Sequence, residues 1–460
     1  MDTGVVPPEW KHGKDVPIHK KGDKQQPGNY RPVSLTSVPC KVLESLIRDE
    51  MMSHLTTDDL LSNDQHGFRP GRSCSTQLLE TIDAWSRLLD SNKPVDAVYL
   101  DFRKAFDSVP HRRLLSKLRC YGISGRLLSW IEAFLGDRRQ LVSLNGCLSD
   151  TVPVGSGVPQ GSVLGPLLFL IFVNDLPDVV HCPIKMFADD TKLFTGMASP
   201  SDARVLQADL DALAAWSKTW QMPFNDDKCK VLHVGSANRS YSFRMGANCL
   251  ASSTVERDLG VHVDSLLKFR QQAAAAVAKG TQVLAVIRRS FALKNEATLP
   301  LLFKTLVRPH LEYGNLVWGP FNRADQKAVE RVQRRATRMV DSIRHYPYPV
   351  RLRLLRLPSL YYRRRRGDMI HVYQLLHRGV DIDANEFFTL NTGGSTRGHS
   401  LKLCKPRANC RVRQKAFAVR VVNDWNGLPA DVANSPSVNV FKNRLDAHWE
   451  SIWYSLHDSD

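Results

Sequence analysis

Apolar residues recur along this chain with two periods, and the switches between them outline its elements. The first thirty residues show neither period; Pro and Gly punctuate a polar, basic stretch (His19, Lys20, Lys21) that reads as loop. Helical spacing begins near Lys41 with Val42, Leu43, Leu46 and Ile47, and returns with Leu78, Ile82, Trp85 and Leu89 on one face of a second helix. After the break at Asn92-Lys93-Pro94, Val95 to Phe102 is strand-like and so uniformly apolar that it must be mostly buried. Leu114 to Phe134 is helical around a break at Gly122. Val163 to Val173 is apolar throughout but far short of the ~20 residues of a membrane span, so it reads as a buried helix.

Two short apolar runs then flank Asp189 and Asp190, which predicts a hairpin with the two acids as its turn. Leu206, Leu210, Leu213 and Trp216 mark another amphipathic helix. Asn225 to Lys228 reads as a turn into the strand Lys230 to Val234, and Asp258 to Asp264 alternates like a further strand that pairs nearby. From Ser265 to Arg378 the pattern is helical, with Val329, Val332, Ala336 and Met339 inward and Arg331, Arg334, Arg335 and Arg338 outward. The last eighty residues change character around Gly393-Gly394 and suggest no chemistry.

Charge alters this picture more than composition does. At 460 residues and 43% hydrophobic content the chain is an ordinary globular protein of several domains, but its net charge is +17. The segment from Ser265 to Arg378 holds 23 basic and six acidic residues, so the rest of the chain is neutral. An excess of that size in one helical stretch points to a nucleic-acid backbone rather than to a solvated face. The nine cysteines form no CxxC pair and read as free thiols of a reducing, intracellular setting. His399, Cys404 and Cys410 are close in sequence but fit no zinc spacing. No signal peptide is visible in the polar N-terminal stretch.

Acids in a turn are commonly just solvated. Here a third carboxylate, Asp101, lies near the end of the buried strand, where it must meet a base or a cation. The loop Gly155 to Ser162 brings small residues and the lone amide of Gln160 to the start of the buried helix, and Arg69 and Arg72 sit in a Gly-Pro turn able to approach phosphates. Mg²⁺ is commonly held by one or two carboxylates plus substrate phosphates, and two such ions about 4 Å apart can clamp an in-line phosphoryl transfer. The residues together point to nucleotidyl transfer on a nucleic acid.

Five blocks, in order, carry a resemblance: Gly28 to Leu35 (GNYRPVSL), Gln65 to Ser73 (QHGFRPGRS), Leu100 to Asp107 (LDFRKAFD), Gly157 to Ser162 (GVPQGS) and Phe187 to Asp190 (FADD), with Asn225 to Lys228 (NDDK) as a weaker sixth. The chain resembles the reverse transcriptases of non-LTR retrotransposons, most closely the jockey-like elements. The resemblance implies an α+β right-hand polymerase with fingers, an antiparallel-sheet palm and a helical thumb, followed by a mostly helical C-terminal region. The corresponding boundaries are 1–95 for fingers and an N-terminal remnant, interleaved with palm, 96–264 for the palm, 265–378 for the thumb and connection, and 379–460 for the remainder. It further implies that Asp101 and Asp189, with Asp190 beside them, ligate two Mg²⁺ ions, with Mn²⁺ as an alternative. Lys228 matches a proton donor to pyrophosphate, Phe106 a gate against the ribose 2′-hydroxyl, and Arg31, Lys41, Gln160 and Gly161 nucleotide contacts. Arg69, Arg331, Arg334, Arg335 and Arg338 are expected on nucleic acid. The implied partners are an RNA template, a DNA primer or target and deoxynucleoside triphosphates, in the nucleus or cytoplasm and without a membrane. The endonuclease domain usual before such a polymerase is not visible, which leaves a truncated remnant that only binds RNA as the alternative expectation.

Overall fold

The computed structural model describes residues 5–20, 22–320, 322–391 and 398–456; Lys21 and the Gly393-Gly394 pair lie outside them. The N-terminal stretch expected as loop contains a strand. β1 (His12–His19) pairs antiparallel with β2 (Tyr30–Leu35), Lys14 opposite Leu35 and His19 opposite Tyr30. Its burial alternates as a strand should, but the inward positions are Gly13 and Asp15, so no apolar period marks it. Asp15 is satisfied there by the Ser34 hydroxyl.

α1 (Val38–Thr57) buries Cys40, Glu44, Ile47, Met51 and Leu55, whereas Val42 and Leu46 of the expected apolar face are exposed. α2 (Cys74–Asp90) begins with a capping box between Ser73 and Thr76 and buries Leu78, Ile82 and Trp85. β3 (Val95–Leu100) follows. α3 (Ala105–Ser108), α4 (His111–Cys120) and α5 (Gly125–Leu135) lead to β4 (Arg138–Leu144), β5 (Cys147–Leu148) and β6 (Val152–Val154). These last strands return to the first sheet: β4 runs parallel to β1 and pairs with β5 and β6, giving the order β2-β1-β4-β5.

α6 (Leu164–Val173) is the buried helix expected from its apolar run. Its first amides donate to the Glu44 carboxylate, Val163 N at 2.7 Å and Leu164 N at 2.9 Å, which is why an acid is tolerated inside the core. β7 (Ile184–Phe187) and β8 (Asp190–Gly196) form the hairpin, and α7 (Pro200–Trp220) and β9 (Lys230–Val234) follow. After the small hairpin of β10 (Arg244–Met245) and β11 (Asn248–Cys249), β12 (Ala251–Ser253) completes a second sheet of order β12-β9-β3-β8-β7. β3 is its centre, with Val98 and Leu100 in one core and Val95 and Ala97 in another, so the strand is apolar on both faces.

The segment 258–264 is not one strand. β13 (Val255–Asp258) and β14 (Val261–Asp264) form a separate hairpin, because Leu259 and Gly260 both take positive φ and turn the chain.

The basic segment is helical: α8 (Arg270–Ser290), α9 (Thr298–Leu302), a π-helical turn at Phe303–Val307, α10 (Arg308–Glu312), α11 (Asn315–Trp318), α12 (Arg323–Thr337), α13 (Tyr348–Leu354) and α14 (Leu360–Leu376). The C-terminal elements are β15 (Thr389–Leu390), β16 (Leu403–Cys404), α15 (Arg411–Lys415), α16 (Phe417–Arg420), α17 (Val422–Asn426), α18 (Ala430–Ala433) and α19 (Val438–His448), and α14 packs into a third core with β16, α16, α17, α18 and α19. That unit returns to α2, where Arg413 meets the buried Asp83 at 2.6 Å and Asp90 caps the amides of Asn409 and Cys410. All nine cysteines are free thiols. Among the described residues no helix is long and apolar enough to cross a membrane.

Candidate active site

The β7–β8 hairpin closes with Phe187 opposite Asp190, so its turn is Ala188-Asp189 and Asp190 already belongs to the strand. This shifts the expected turn by one residue. On the neighbouring strand Leu100 faces Thr191, and the same register carries Asp101 to the position opposite Asp190. The three carboxylates therefore share one end of the central strands.

Lys228 joins them. Asn225 N donates to Asp101 O at 2.7 Å, Lys228 N to Asn225 O at 2.9 Å, and this turn delivers the Lys228 ammonium to Asp101 Oδ2 at 2.9 Å. Asp190 borders a 290 Å³ cavity with Asp101, Lys228 and the tip of the β13–β14 hairpin, where Lys192 forms a buried ion pair with Asp258. It is thus open to solvent on one side and crowded on the others. Burial in that cleft, then Asp189, Asp258 and Asp101, push the Asp190 carboxyl up to about 6. Burial also raises Asp189, with Asp101 adding to the effect, while Arg31 and Lys20 pull it back.

Those two bases come from the first sheet, Arg31 on β2 and Lys20 just after β1. Desolvation lowers the Lys20 pKa, and the nearby charges of Arg31 and Lys228 lower it further. Lys20 lies in the basic stretch of the sequence, but nothing local distinguishes it from its neighbours. The strand pairing that brings it over the carboxylates was the missing signal.

The loop before α6 docks against β2 of the first sheet and against α3. Ser34 N donates to Gln160 O at 2.8 Å, and the Gln160 amide donates to Asp107 Oδ1 at 2.8 Å. Gly161 sits at φ +116 with no room for a Cβ against the Ser34 carbonyl. Phe106 on α3 is half-buried, stacked on Phe169 of α6 with centroids 4.6 Å apart and planes at 11°. Lys41 lies in the first turn of α1 and makes no hydrogen bond or ion pair with the carboxylates.

Arg69 is not held out to a groove. Its guanidinium donates to Ser62 O at 2.5 Å and Leu61 O at 3.3 Å, and lies 3.6 Å from Asp381 of the C-terminal unit, leaving the side chain 10% exposed. Arg331, Arg334, Arg335 and Arg338 are exposed on α12 and at its C-terminal end, where they border a 660 Å³ groove with Arg323 and Lys327. The four-arginine run of α14 behaves otherwise. Arg363 pairs with Glu312, Arg365 with Asp424 at 2.7 Å, Arg366 with Asp446 at 2.5 Å, and Arg364 lies near Glu330 and Asp368.

Among the described residues no three His, Cys, Asp or Glu side chains are grouped as a metal site, whether at His399, Cys404 and Cys410 or at Asp101, Asp189 and Asp190. Asp101, Asp189 and Asp190 are an open donor set in which Asp101 raises the pKa of Asp189, Asp189 and Asp101 raise that of Asp190, and the Lys228 ammonium bonds Asp101. That chemistry suits Mg²⁺, which binds through few carboxylates and keeps positions for water and phosphate.

Residues 18–269, more than half of the chain, match the family described as reverse transcriptase (RNA-dependent DNA polymerase). The chain belongs to the reverse transcriptase family. Its α+β architecture is that family's right-hand polymerase fold. The chain is 30% identical over 365 residues to the probable RNA-directed DNA polymerase from transposon BS of Drosophila melanogaster, covering 74% of this chain and 39% of that protein. It is 28% identical over 364 residues to the RNA-directed DNA polymerase from mobile element jockey of the same organism, covering 75% and 39%. It thus spans about two fifths of the length of these curated relatives. The structure of apo telomerase from Candida tropicalis aligns with a TM-score of 0.42 at 11% identity, over 76% of this chain and 63% of that one, a likeness too loose to build on.

Proposed function

We propose that this chain is the RNA-directed DNA polymerase of a non-LTR retrotransposon, extending a DNA primer on an RNA template. The observation that carries the proposal is the convergence of Asp101, Asp189 and Asp190 at one end of the second sheet, opposite the bases of the first. In this reading 1–95 serves mainly as fingers, 96–264 as palm and 265–378 as thumb and connection, with β4 to β6 of the palm segment completing the fingers sheet.

Asp101 and Asp189, supported by Asp190, would hold two divalent cations. When bound, these supply charge neutralisation and a lowered pKa for the primer hydroxyl. Arg31 and Lys20 bind the triphosphate as opposite charge across the cleft. Lys228 leaves Asp101 for the pyrophosphate and gives it a proton as general acid. Phe106, fixed by its stack on Phe169, would exclude a ribose 2′-hydroxyl. Gln160 and Gly161 back the incoming nucleotide, and the α12 arginines hold the nucleic-acid backbone.

The test is primer extension by the full chain on an RNA template with Mg²⁺. Deoxynucleotides should be incorporated and ribonucleotides rejected, and Phe106→Ala should relax that rejection by about tenfold or more, the scale of a lost steric contact in a pocket. Tight template binding with no extension would replace the proposal with the non-catalytic RNA-binding remnant.

A further inference from the structure

Asp189 owes its direction to a residue far from it in sequence. Gln65 is 1% exposed, and its side-chain amide grips the backbone of Ala188 at both ends. Gln65 Oε1 accepts from Ala188 N at 2.8 Å and from Gly67 N at 2.7 Å, while Gln65 Nε2 donates to Ala188 O at 3.3 Å. The carbonyl of Ala188 belongs to the peptide bond that enters Asp189. Only a primary amide presents a donor and an acceptor together in this way.

The grip acts on a residue that resists its own conformation. Ala188 has φ +55, in the left-handed region that side chains with a Cβ disfavour, at a turn position usually given to Gly or Asn. Backbone contacts extend the brace on either side: His66 N donates to Met186 O at 2.9 Å, and Met186 N to Asp64 O at 2.9 Å. Gly67 lies so close to Ala188 that a Cβ there would overlap the Ala188 amide. On its far side Asp189 is followed by β8, locked to β3 from Thr191 onward. The remaining freedom of the Asp189 backbone is therefore set by the Ala188 peptides that Gln65 holds.

We infer that Gln65 is a positioning residue for the Asp189 carboxylate, holding the Ala188–Asp189 turn in the left-handed geometry that aims the carboxylate at the reacting centre. The inference rests on the proposed role of Asp189. It requires no contact between Gln65 and substrate. Its effect falls on the chemical step and on cation affinity, and leaves nucleotide capture by the first-sheet bases in place.

The test compares wild type, Gln65→Ala, Gln65→Met, Asp189→Asn and the double variant Gln65→Ala/Ala188→Gly in single-nucleotide extension and in Mn²⁺ binding, read by electron paramagnetic resonance with a dideoxy-terminated primer–template. Gln65→Ala should lower kcat by about 10²-fold, the cost of a displacement near 1 Å, with KM for the deoxynucleotide changed by less than about threefold. Mn²⁺ affinity should fall in parallel. Adding Ala188→Gly, which makes the left-handed turn accessible without the grip, should recover about tenfold of the lost kcat. If Gln65→Ala does not fold, Gln65→Met keeps the side-chain length, lacks both donor and acceptor, and should show the same loss. A folded Gln65 variant with wild-type kcat, beside an inactive Asp189→Asn, overturns the inference; so does a loss of kcat that Ala188→Gly leaves untouched. Should wild type fail to extend at all, the polymerase reading falls separately, and unchanged Mn²⁺ affinity in Gln65→Ala then overturns the positioning role.

Discussion

α12 and α14 carry the same kind of sequence, four arginines in or beside one helix of the basic segment, and put it to different uses. On α12 the arginines point away from a stripe of Val329, Val332 and Ala336 and none forms an ion pair with a carboxylate among the described residues. On α14 the arginines face acids of Glu312, Asp424 and Asp446, with forked hydrogen bonds from Arg365 and Arg366. A guanidinium paired in that way is already neutralised and geometrically committed, and offers little to a phosphate. The fold therefore leaves the positive charge of α12 uncompensated and spends that of α14 on its own acids.

The sharpest way to break this contrast is to remove charge from each helix in turn. Arg365→Ala with Arg366→Ala strands Asp424 and Asp446 against the third core and should destabilise the protein by about 3 kcal/mol, seen as a lower urea midpoint. Its nucleic-acid affinity at a temperature where it stays folded should hardly change. Replacing Arg331, Arg334, Arg335 and Arg338 by Ala should do the reverse: stability within about 0.5 kcal/mol of wild type, and a salt dependence of nucleic-acid binding shallower by about 3 in log–log slope, as expected for four lost phosphate contacts. A swap of these two outcomes would undo the comparison.

A smaller effect separates the helices by pH. His371 on α14 is buried against Phe417, its Nε2 without a partner, and burial pushes its pKa down to about 4. Between the ordinary histidine value and 4 the unfolded chain takes up a proton that the folded chain refuses, so stability falls as pH is lowered through that window. His371→Phe should remove a slope approaching 1.4 kcal/mol per pH unit there, measured as the difference between the two urea-unfolding profiles. Equal slopes in wild type and variant would mean that the third core admits the charged ring.

What was readable in the sequence was local. Asp101, Asp189 and Asp190 stand beside apolar strand patterns, and those patterns fix both the strands and their shared end. β1 was hidden because its inward residues are Gly13 and Asp15. The Gln65 grip was hidden because its partner lies 123 residues away. The charge excess of 265–378 was real but over-read, since two acids that neutralise α14, Asp424 and Asp446, lie beyond that segment. Arg69 was expected on nucleic acid, yet its backbone acceptors Leu61 and Ser62 come from a turn whose shape no periodicity reveals.

The proposed function divides chemistry, at Asp101, Asp189 and Asp190, from nucleic-acid holding, at α12. It is tested most directly by measuring, on one preparation of Asp189→Ala, both primer extension and affinity for the same RNA–DNA primer–template. Extension should fall by at least about 10³-fold, as befits loss of a group acting in the transition state, with affinity within about threefold of wild type. Extension that survives the substitution would remove Asp189 from the chemistry, and affinity that collapses with it would make Asp189 part of the nucleic-acid grip.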